Sequence, residues 1–316
     1  MAVTSPAVFD VAMRVRFRGQ SRRHGMLLSG PAGWGEWSPF PEYDAAEAAR
    51  WLAAAREAAE TGWPAPVRDR IPVNTTVPAV DPATAHRLVA ESGCRTAKVK
   101  VAEPGQTLAD DSARVEAVRD ALGRDGHLRV DANGGWSLDE AEKALRALDG
   151  FDLEYAEQPV KTLDEMAALR RRVDVRLAAD ESVRKAEDPL RVAGLEAADI
   201  VVLKVQPLGG VRAALDVAEA CGLPVVVSSA IETSVGLAAG LALAAALPDL
   251  PFACGLGTAT LLDGDVCSDS LIPVDGKLPV LRRAPEPDRS DEFVADEETA
   301  RWWAERLLAA EAVLDG

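Results

Sequence analysis

A repeated pattern that begins near residue 71 limits the folds that this chain can adopt. Short runs of β-branched and other apolar residues alternate there with amphipathic segments of helical length, which is typical of parallel βα units. Eight such strands, each followed by a helix, close into a barrel. The predicted strands cover residues 71–77, 96–102, 127–133, 151–157, 175–180, 198–204, 223–229 and 251–256.

The two ends of the chain predict a smaller accessory unit. We expect the C-terminal helix to leave the barrel and pack on the N-terminal elements. The chain has 316 residues, enough for a barrel of about 250 residues and a remainder. We predict an α+β domain built from residues 1–70 and 285–316, and a barrel domain of residues 71–284. The elements predicted outside the barrel are strands at 7–17 and 25–30 and helices at 44–61 and 295–312.

Polar side chains stand at the ends of five consecutive predicted strands. Active sites of such barrels form at the C-terminal strand ends, so these residues are candidates for function. A single Asp there is more often a helix N-cap, but successive ends lie 26, 23 and 24 residues apart, about one βα unit each, which favours one common site. The candidates are Lys98 and Lys100, Asp131 and Asn133, Glu157, Asp180 and Glu181, and Lys204.

The residue types at these strand ends indicate metal-assisted proton transfer. The carboxylates of Asp131, Glu157 and Asp180 would repel one another unless a cation lay between them, and hard oxygen ligands select Mg²⁺, with Mn²⁺ as an alternative. Such an ion leaves coordination positions for a substrate carboxylate. Lys100 and Lys204 would lie on opposite sides of it, where nearby positive charge favours a neutral amine. One lysine can be the base and the other an electrostatic partner.

Charge and cysteine content limit the partners and the compartment. The formal net charge of -16 disfavours nucleic acid and anionic membranes as ligands. The four cysteines show no CxxC pairing, which fits a reducing compartment. The N-terminus lacks a signal-like apolar core, and no apolar run is long enough to span a bilayer. We expect a cytoplasmic protein with a small-molecule carboxylate substrate, a monomer being slightly favoured over an oligomer.

Several short motifs resemble one known superfamily. Lys98-Val99-Lys100, Asp131-Ala132-Asn133, Glu157-Gln158-Pro159, Asp180-Glu181-Ser182 and Lys204 are similar to the muconate-lactonizing subgroup of the enolase superfamily. The resemblance implies a modified TIM barrel, (β/α)7β, with an α+β capping domain. Residues 228–237 and the segment GWGEWSPF most resemble the o-succinylbenzoate synthases of menaquinone biosynthesis, especially those of actinobacteria.

The resemblance also implies a reaction and roles for the residues. The reaction is dehydration of 2-succinyl-6-hydroxy-2,4-cyclohexadiene-1-carboxylate to 2-succinylbenzoate through a metal-stabilised enediolate. Lys100 would remove the proton next to the carboxylate and return it to the departing hydroxyl on the same face. Lys204 would stay charged on the opposite face, and Lys98 would tune Lys100 and touch the carboxylate. The remaining candidates are Ser228, Ser229 and Gly255 for the succinyl arm, and Asn133 and Glu181 for orienting the metal ligands.

Other functions are compatible with the same residues. Racemisation of N-succinylamino acids uses the same two lysines and a succinyl group, and dipeptide epimerisation or muconate lactonisation would also keep the mechanism. Mandelate racemase-like enzymes need a later His base, whereas His24, His86 and His127 all precede the third carboxylate. A binding protein without catalysis is disfavoured by the complete lysine and carboxylate set. Arg22, Arg23 and His24 are expected in a capping loop between the first two strands.

Overall fold

The computed structural model describes residues 7–17, 20–183 and 188–316. An antiparallel sheet opens the fold, with strands β1 (Ala7–Phe17), β2 (Gln20–Gly30) and β3 (Gly33–Trp37). Helix α1 (Ala45–Arg56) follows and continues into one π-helical turn, Glu57–Thr61. The helix begins at Asp44 because that side chain accepts from the Glu47 amide while Glu47 accepts from the Asp44 amide, which forms a capping box. The predicted first strands and helix are confirmed.

The predicted capping loop is wrong, because its basic residues lie within β2. His24, Arg23 and Arg22 are paired with Asp10, Val11 and Ala12 of β1. Alternation along a strand sends successive side chains to opposite faces. Arg23 therefore points inward and is buried, while its neighbour Arg22 is exposed. A strand with charged residues on one face and a buried arginine on the other lacks the apolar alternation by which strands are recognised.

The second sheet is parallel and contains seven strands in the order β11-β10-β9-β8-β7-β6-β5. The predicted strand at 71–77 is two short strands instead, because its first part pairs antiparallel with a strand near the C-terminus. Those two partners are β4 (Arg70–Pro72) and β12 (Lys277–Pro279). The parallel strands are β5 (Thr75–Val77), β6 (Thr96–Lys100), β7 (His127–Asp131), β8 (Leu153–Glu157), β9 (Leu177–Ala179), β10 (Ile200–Leu203) and β11 (Val225–Val227).

The segment predicted as the eighth strand closes the sheet into a barrel through isolated bridges. Cys254 is bridged in parallel to Val73, and Gly255 is bridged in parallel to Ser228. The Cys254 amide donates to the Pro72 carbonyl over 2.8 Å, and the Gly255 amide donates to the Val227 carbonyl over 2.8 Å. The pairing is too short for a regular strand, yet it joins both edges of the sheet. The fold is the predicted modified TIM barrel with an α+β capping domain.

The helices after the barrel strands begin at polar caps that the sequence displays. Thr107, Ser137 and Thr162 each accept from the amide three residues on, and an acidic residue at that position closes a capping box. The helices are α2 (Pro82–Ser92), α3 (Leu108–Leu122), α4 (Leu138–Leu148), α5 (Leu163–Arg170), α6 (Asp188–Gly194), α7 (Val205–Leu208), α8 (Val211–Cys221), α9 (Ser234–Ala246) and α10 (Glu297–Leu314). Within the described ranges, none of them is long and apolar enough to cross a membrane.

The C-terminal helix α10 packs on the first unit, as predicted. The ring of Trp303 meets that of Trp37 edge to face with their centroids 5.2 Å apart. Arg306 donates to the carbonyl oxygens of Pro39, Phe40 and Tyr43 at 2.6–3.0 Å. Buried aromatic pairs and satisfied carbonyls of this kind stabilise the contact between chain ends that are distant in sequence.

Candidate active site

A small cavity at the C-terminal ends of the barrel strands collects nearly all of the predicted site residues. Its volume is about 30 Å³, room for little more than two water molecules. Glu157 does not line this cavity but accepts a hydrogen bond from Lys98, which does. The other predicted residues all line it, namely Lys98, Lys100, Asp131, Asn133, Asp180, Glu181, Lys204, Ser228, Ser229 and Gly255.

Strand register brings the charged side chains to one level. Lys100 of β6 is paired with Asp131 of β7, which is paired in turn with Glu157 of β8. Asp180 comes directly after β9, and Lys204 directly after β10. Because these five strands are neighbours in the order β6 to β10, the carboxylates form a row at the rim with a lysine at either end. Residues that recur about one βα unit apart in the sequence therefore lie side by side in one site.

Each carboxylate is paired with a lysine. The Lys98 Nζ atom lies 2.5 Å from Glu157 Oε1 and 2.9 Å from Asp131 Oδ2. The Lys100 Nζ atom lies 2.7 Å from the same Asp131 Oδ2, and the Lys204 Nζ atom lies 2.5 Å from Asp180 Oδ2. Three ammonium groups therefore face three carboxylates, and these formal charges cancel.

Burial and neighbouring charges shift the pKa values unequally. Burial lowers the pKa of Lys98, but Asp131 and Glu157 outweigh it and hold that pKa well above its usual value. Burial likewise raises the pKa of Asp131, but Lys100 and Lys98 outweigh it and hold that pKa below its usual value. For Glu157, burial and the charge of Asp131 raise the pKa, and Lys98 offsets them only in part. Lys98 therefore stays protonated, and Glu157 is the carboxylate with too little positive charge around it.

The carboxylates carry a donor set that fits a divalent cation. The Glu157 Oε2 atom is buried without a hydrogen-bond partner in the described part of the chain. A buried oxygen without a partner costs free energy, and hard divalent cations take such oxygens as ligands. Among the described residues no cluster of His, Cys, Asp or Glu forms a ready coordination shell, because lysines already bind these oxygens. The three carboxylates supply the oxygen donors that a divalent cation takes, and such a cation would occupy the position next to them that the ammonium groups of Lys100 and Lys204 hold.

A layer of amides supports the row of carboxylates. Asn133, in the left-handed region with φ of 47°, accepts from Lys100 Nζ at 2.6 Å, and its Nδ2 atom donates to Glu181 Oε1 over 3.2 Å. Gln158 is fully buried. The sequence had indicated it only as the middle residue of the motif Glu157-Gln158-Pro159. The Gln158 Oε1 atom accepts from the Asp180 amide at 3.0 Å. Gln158 therefore holds the backbone of Asp180 directly after the next strand, and its position directly after Glu157 was the available signal.

Hydroxyl groups and backbone form the opposite side of the cavity. The Ser229 Oγ and Thr258 Oγ1 atoms lie 2.6 Å apart. A side chain at Gly255 would place its Cβ atom 2.5 Å from Ser228 Oγ, so any larger residue there would displace the Ser228 hydroxyl. Four lining residues were not predicted: one lies inside β5, two follow β11 by three and four positions, and one begins a short 3-10 turn. They are Thr76, Ala230, Ile231 and Thr258.

The sequence matches known protein families over most of its length. Residues 81–285 match the family model described as enolase C-terminal domain-like, and residues 8–59 match the enolase N-terminal domain-like model. The o-succinylbenzoate synthase of Thermobifida fusca is 65% identical over 96% of this chain and 95% of that protein. The Mycolicibacterium smegmatis o-succinylbenzoate synthase is 54% identical over 97% of this chain and 95% of that protein.

A solved structure supports the fold independently. The N-succinyl Arg/Lys racemase from Bacillus cereus superposes with a TM-score of 0.78 at 21% identity, covering 92% of this chain and 97% of that one. At that identity the likeness concerns the fold alone, whereas the synthase relatives match over nearly the whole sequence. The chain therefore belongs to the enolase superfamily and, within it, to the o-succinylbenzoate synthase family.

Proposed function

We propose that this chain is an o-succinylbenzoate synthase. The reaction is the Mg²⁺-dependent syn dehydration of 2-succinyl-6-hydroxy-2,4-cyclohexadiene-1-carboxylate to 2-succinylbenzoate in menaquinone biosynthesis. The observation that carries the proposal is the row of carboxylates on β7, β8 and β9 with Lys100 and Lys204 at its two ends. The 65% identity to the synthase of Thermobifida fusca supports the choice of substrate.

Enzymes of this superfamily use a divalent metal ion, and we propose Asp131, Glu157 and Asp180 as its ligands here. Mg²⁺ is the preferred ion because the ligands are all carboxylate oxygens, and Mn²⁺ is the alternative. When bound, such an ion supplies positive charge next to the substrate carboxylate, where negative charge accumulates as the neighbouring proton leaves. Asn133 is proposed to orient Asp131, because its backbone amide donates to Asp131 Oδ1 over 3.1 Å, and Glu181 in turn accepts from the Asn133 side chain.

Lys100 is proposed as the general base and acid. Its present partner is Asp131, at 2.7 Å. With Asp131 bound to a metal ion, Lys100 would no longer be held in that ion pair, and its neutral amine would accept the proton next to the substrate carboxylate. The same ammonium then protonates the departing hydroxyl, so that the C–H and C–O bonds break on one face and water leaves. The electron pair of the C–H bond completes the aromatic ring, which makes the product strongly favoured.

Lys204 and Lys98 are proposed as electrostatic groups. Lys204 lies beyond the other end of the carboxylate row, after β10, so its ammonium faces the developing negative charge from the side opposite Lys100. Lys98 keeps its proton because Asp131 and Glu157 raise its pKa, which makes it a contact for the substrate carboxylate rather than a base. Ser228, Ser229 and Gly255 are proposed to hold the succinyl arm through hydroxyl and amide donors.

Racemisation of N-succinylamino acids is the second candidate activity. Lysines at both ends of the row are what a proton transfer between two faces of one carbon requires.

The compartment in this proposal is the cytoplasm, which the four free thiols support. The substrate is a small carboxylate, with no role for nucleic acid or membrane.

The test is an absorbance assay of dehydration with purified protein, Mg²⁺ and the cyclohexadiene substrate. A parallel assay follows racemisation of N-succinylamino acids and exchange of their α-proton in deuterated water. We expect fast dehydration that EDTA abolishes and that excess Mg²⁺ restores. Racemisation without dehydration would replace the proposed reaction but keep both lysine roles. The absence of dehydration together with exchange no faster than a buffer blank would rule out catalysis of either kind.

A further inference from the structure

One wall of the cavity is held in a strained backbone conformation. The segment Ser228–Ile231, here called the wall segment, joins β11 to the start of α9 and lines the cavity along its length. Ile231 has φ of 64°, a region that β-branched residues avoid because the Cβ atom crowds the backbone. Such strain persists only where surrounding contacts determine the conformation. The contacts that do so here come from the capping sheet.

Arg23 of β2 holds the strained residue directly. Its side chain is 2% exposed, and its Nε atom donates to the Ile231 carbonyl over 3.0 Å. The Nη2 atom of the same guanidinium donates to the Ser38 carbonyl over 2.7 Å, and the group lies 4.6 Å from the centre of the Phe40 ring. The planar fork of an arginine makes both bonds at once, which a lysine cannot do. Arg23 thus ties the wall segment to the capping domain.

Glu36 of β3 holds the chain directly after the wall segment, at the start of α9. Its Oε2 atom accepts from Thr233 Oγ1 at 2.5 Å and from the amides of Thr233 and Gly236 at 3.1 Å each. These groups belong to the N-terminus of α9, where amides lack partners within the helix. A second buried acid, Asp265, accepts from the Ser234 amide at 3.3 Å. The start of α9 is therefore fixed by two carboxylates from outside the helix, one of them on the capping sheet.

We propose that Arg23 and Glu36 are positioning residues that set substrate affinity by fixing the wall segment. Neither lines the cavity, so they act through Ser228, Ser229 and Ile231. This inference rests on the proposed function, because it assigns those wall residues to substrate binding. Ser228, Ser229 and Ile231 all line the cavity, so a displacement of the wall segment changes the shape of the space that the substrate enters.

Charge strengthens the role of Arg23. The carboxyl of Glu232 follows the wall segment, is buried, and has one oxygen without a hydrogen-bond partner in the described structure. Arg23 lowers the pKa of both Glu36 and Glu232, against the burial that raises them. Loss of the guanidinium would leave two buried acids close to the wall segment with less positive charge. The segment would then shift or open, which hydrogen exchange detects.

The experiment compares Arg23→Gln with a matched control, Arg119→Gln, in the full-length protein. Arg119 also donates to backbone carbonyls, those of Phe151 and Asp152 among them, but these precede β8 at the other end of the barrel. Two readouts are taken, namely amide hydrogen exchange of the peptide covering residues 228–236 and the separate values of kcat and KM for dehydration. We expect Arg23→Gln to speed exchange of that peptide at least tenfold and to raise KM about tenfold, with kcat changed less than threefold. Arg119→Gln should change neither exchange nor KM.

Wild-type exchange and KM in folded Arg23→Gln, or equal changes in Arg119→Gln, would overturn the proposal. If Arg23→Gln does not fold, Thr233→Val takes its place, because it removes the hydroxyl bound to Glu36 while keeping the shape, and Thr233→Ser should restore wild-type values. Unchanged exchange and KM in Thr233→Val would overturn the proposal equally. A wild-type chain that does not dehydrate the substrate would refute the proposed function, whereas the exchange comparison would still decide whether Arg23 holds the wall segment.

Discussion

Replacement of Glu157 by glutamine should stabilise the metal-free protein while destroying its response to metal. The Glu157 side chain is buried, and its Oε2 atom has no hydrogen-bond partner among the described residues. Burial and the charge of Asp131 raise its pKa, so the ionised carboxylate is disfavoured in the folded chain. A raised carboxyl pKa contributes stability below the unfolded value, and that contribution is lost as the pH rises through the folded value. At pH 8 the ionised group therefore costs stability that a neutral amide does not.

The expected size follows from the unpartnered oxygen. Leaving a buried group without a partner costs about 1–3 kcal/mol and more when the group is charged, so removing the charge is expected to recover an amount in that range, although the amide also lacks a partner at that position. An unfolding entropy of about 2.1 cal/mol/K per residue, applied to 316 residues, converts this to a rise in Tm of roughly 1.5–4.5 °C. With excess Mg²⁺ the order should reverse, because the wild type gains stability from a ligand that binds only the folded state. Glu157→Gln would gain little, having lost one of three ligands.

The assay is calorimetric unfolding at pH 8, first in EDTA and then in excess Mg²⁺. Glu154→Gln is the matched control on the same strand, because Glu154 accepts from the buried Arg129 at 2.6 Å. Removing the partner of a buried cation destabilises a fold. In Glu157→Gln the buried Lys98 keeps Asp131 at 2.9 Å as an ionised partner, whereas Glu154 is the carboxylate that pairs with Arg129, so Glu154→Gln should lower Tm in EDTA while keeping the metal-dependent rise. A lower Tm for Glu157→Gln in EDTA, or a metal-dependent rise equal to that of wild type, would refute the reasoning.

Three further predictions concern catalysis, pH and packing. Lys100→Ala and Lys204→Ala should each lower turnover by at least about 100-fold in a single-turnover dehydration assay while retaining the wild-type circular dichroism, and substantial activity in Lys100→Ala would contradict its role as base. Burial raises the pKa of Glu36 to about 7 from 4.5. As the pH rises from 4.5 through 7, the free energy of unfolding of the wild type, measured in urea, should therefore fall by about 3 kcal/mol more than that of Glu36→Gln. Parallel pH profiles of the two proteins would disprove this. Trp303→Ala should lower the free energy of unfolding by about 3–5 kcal/mol, because Trp303 is 1% exposed, and a loss under 1 kcal/mol would show that α10 is not needed for stability.

Sequence reasoning worked best where the fold repeats a local unit. Asp131, Glu157 and Asp180 could be assigned to one site because each ends a strand of the same parallel sheet, and spacing alone reveals that. The strand predictions were less accurate where the first and last barrel strands meet, because the pairing there is irregular. Residues 71–77 divide between two pairings, and residues 251–256 form only isolated bridges, because the backbone partners there come from distant parts of the chain. The domain boundaries and the roles of the site residues stay predictions.

The barrel, the row of carboxylates and the two lysines can be predicted from the sequence, since periodicity and strand-end position depend on residues that are close along the chain. The hydrogen-bond and ion-pair partner of each charged group is visible only in the folded structure. Lys98 bridges two carboxylates on neighbouring strands, and Glu157 keeps one oxygen without a partner. Glu36 reaches the start of α9 across 197 residues of sequence. Contacts of that separation depend on how the capping sheet lies against the barrel, and no short motif encodes them.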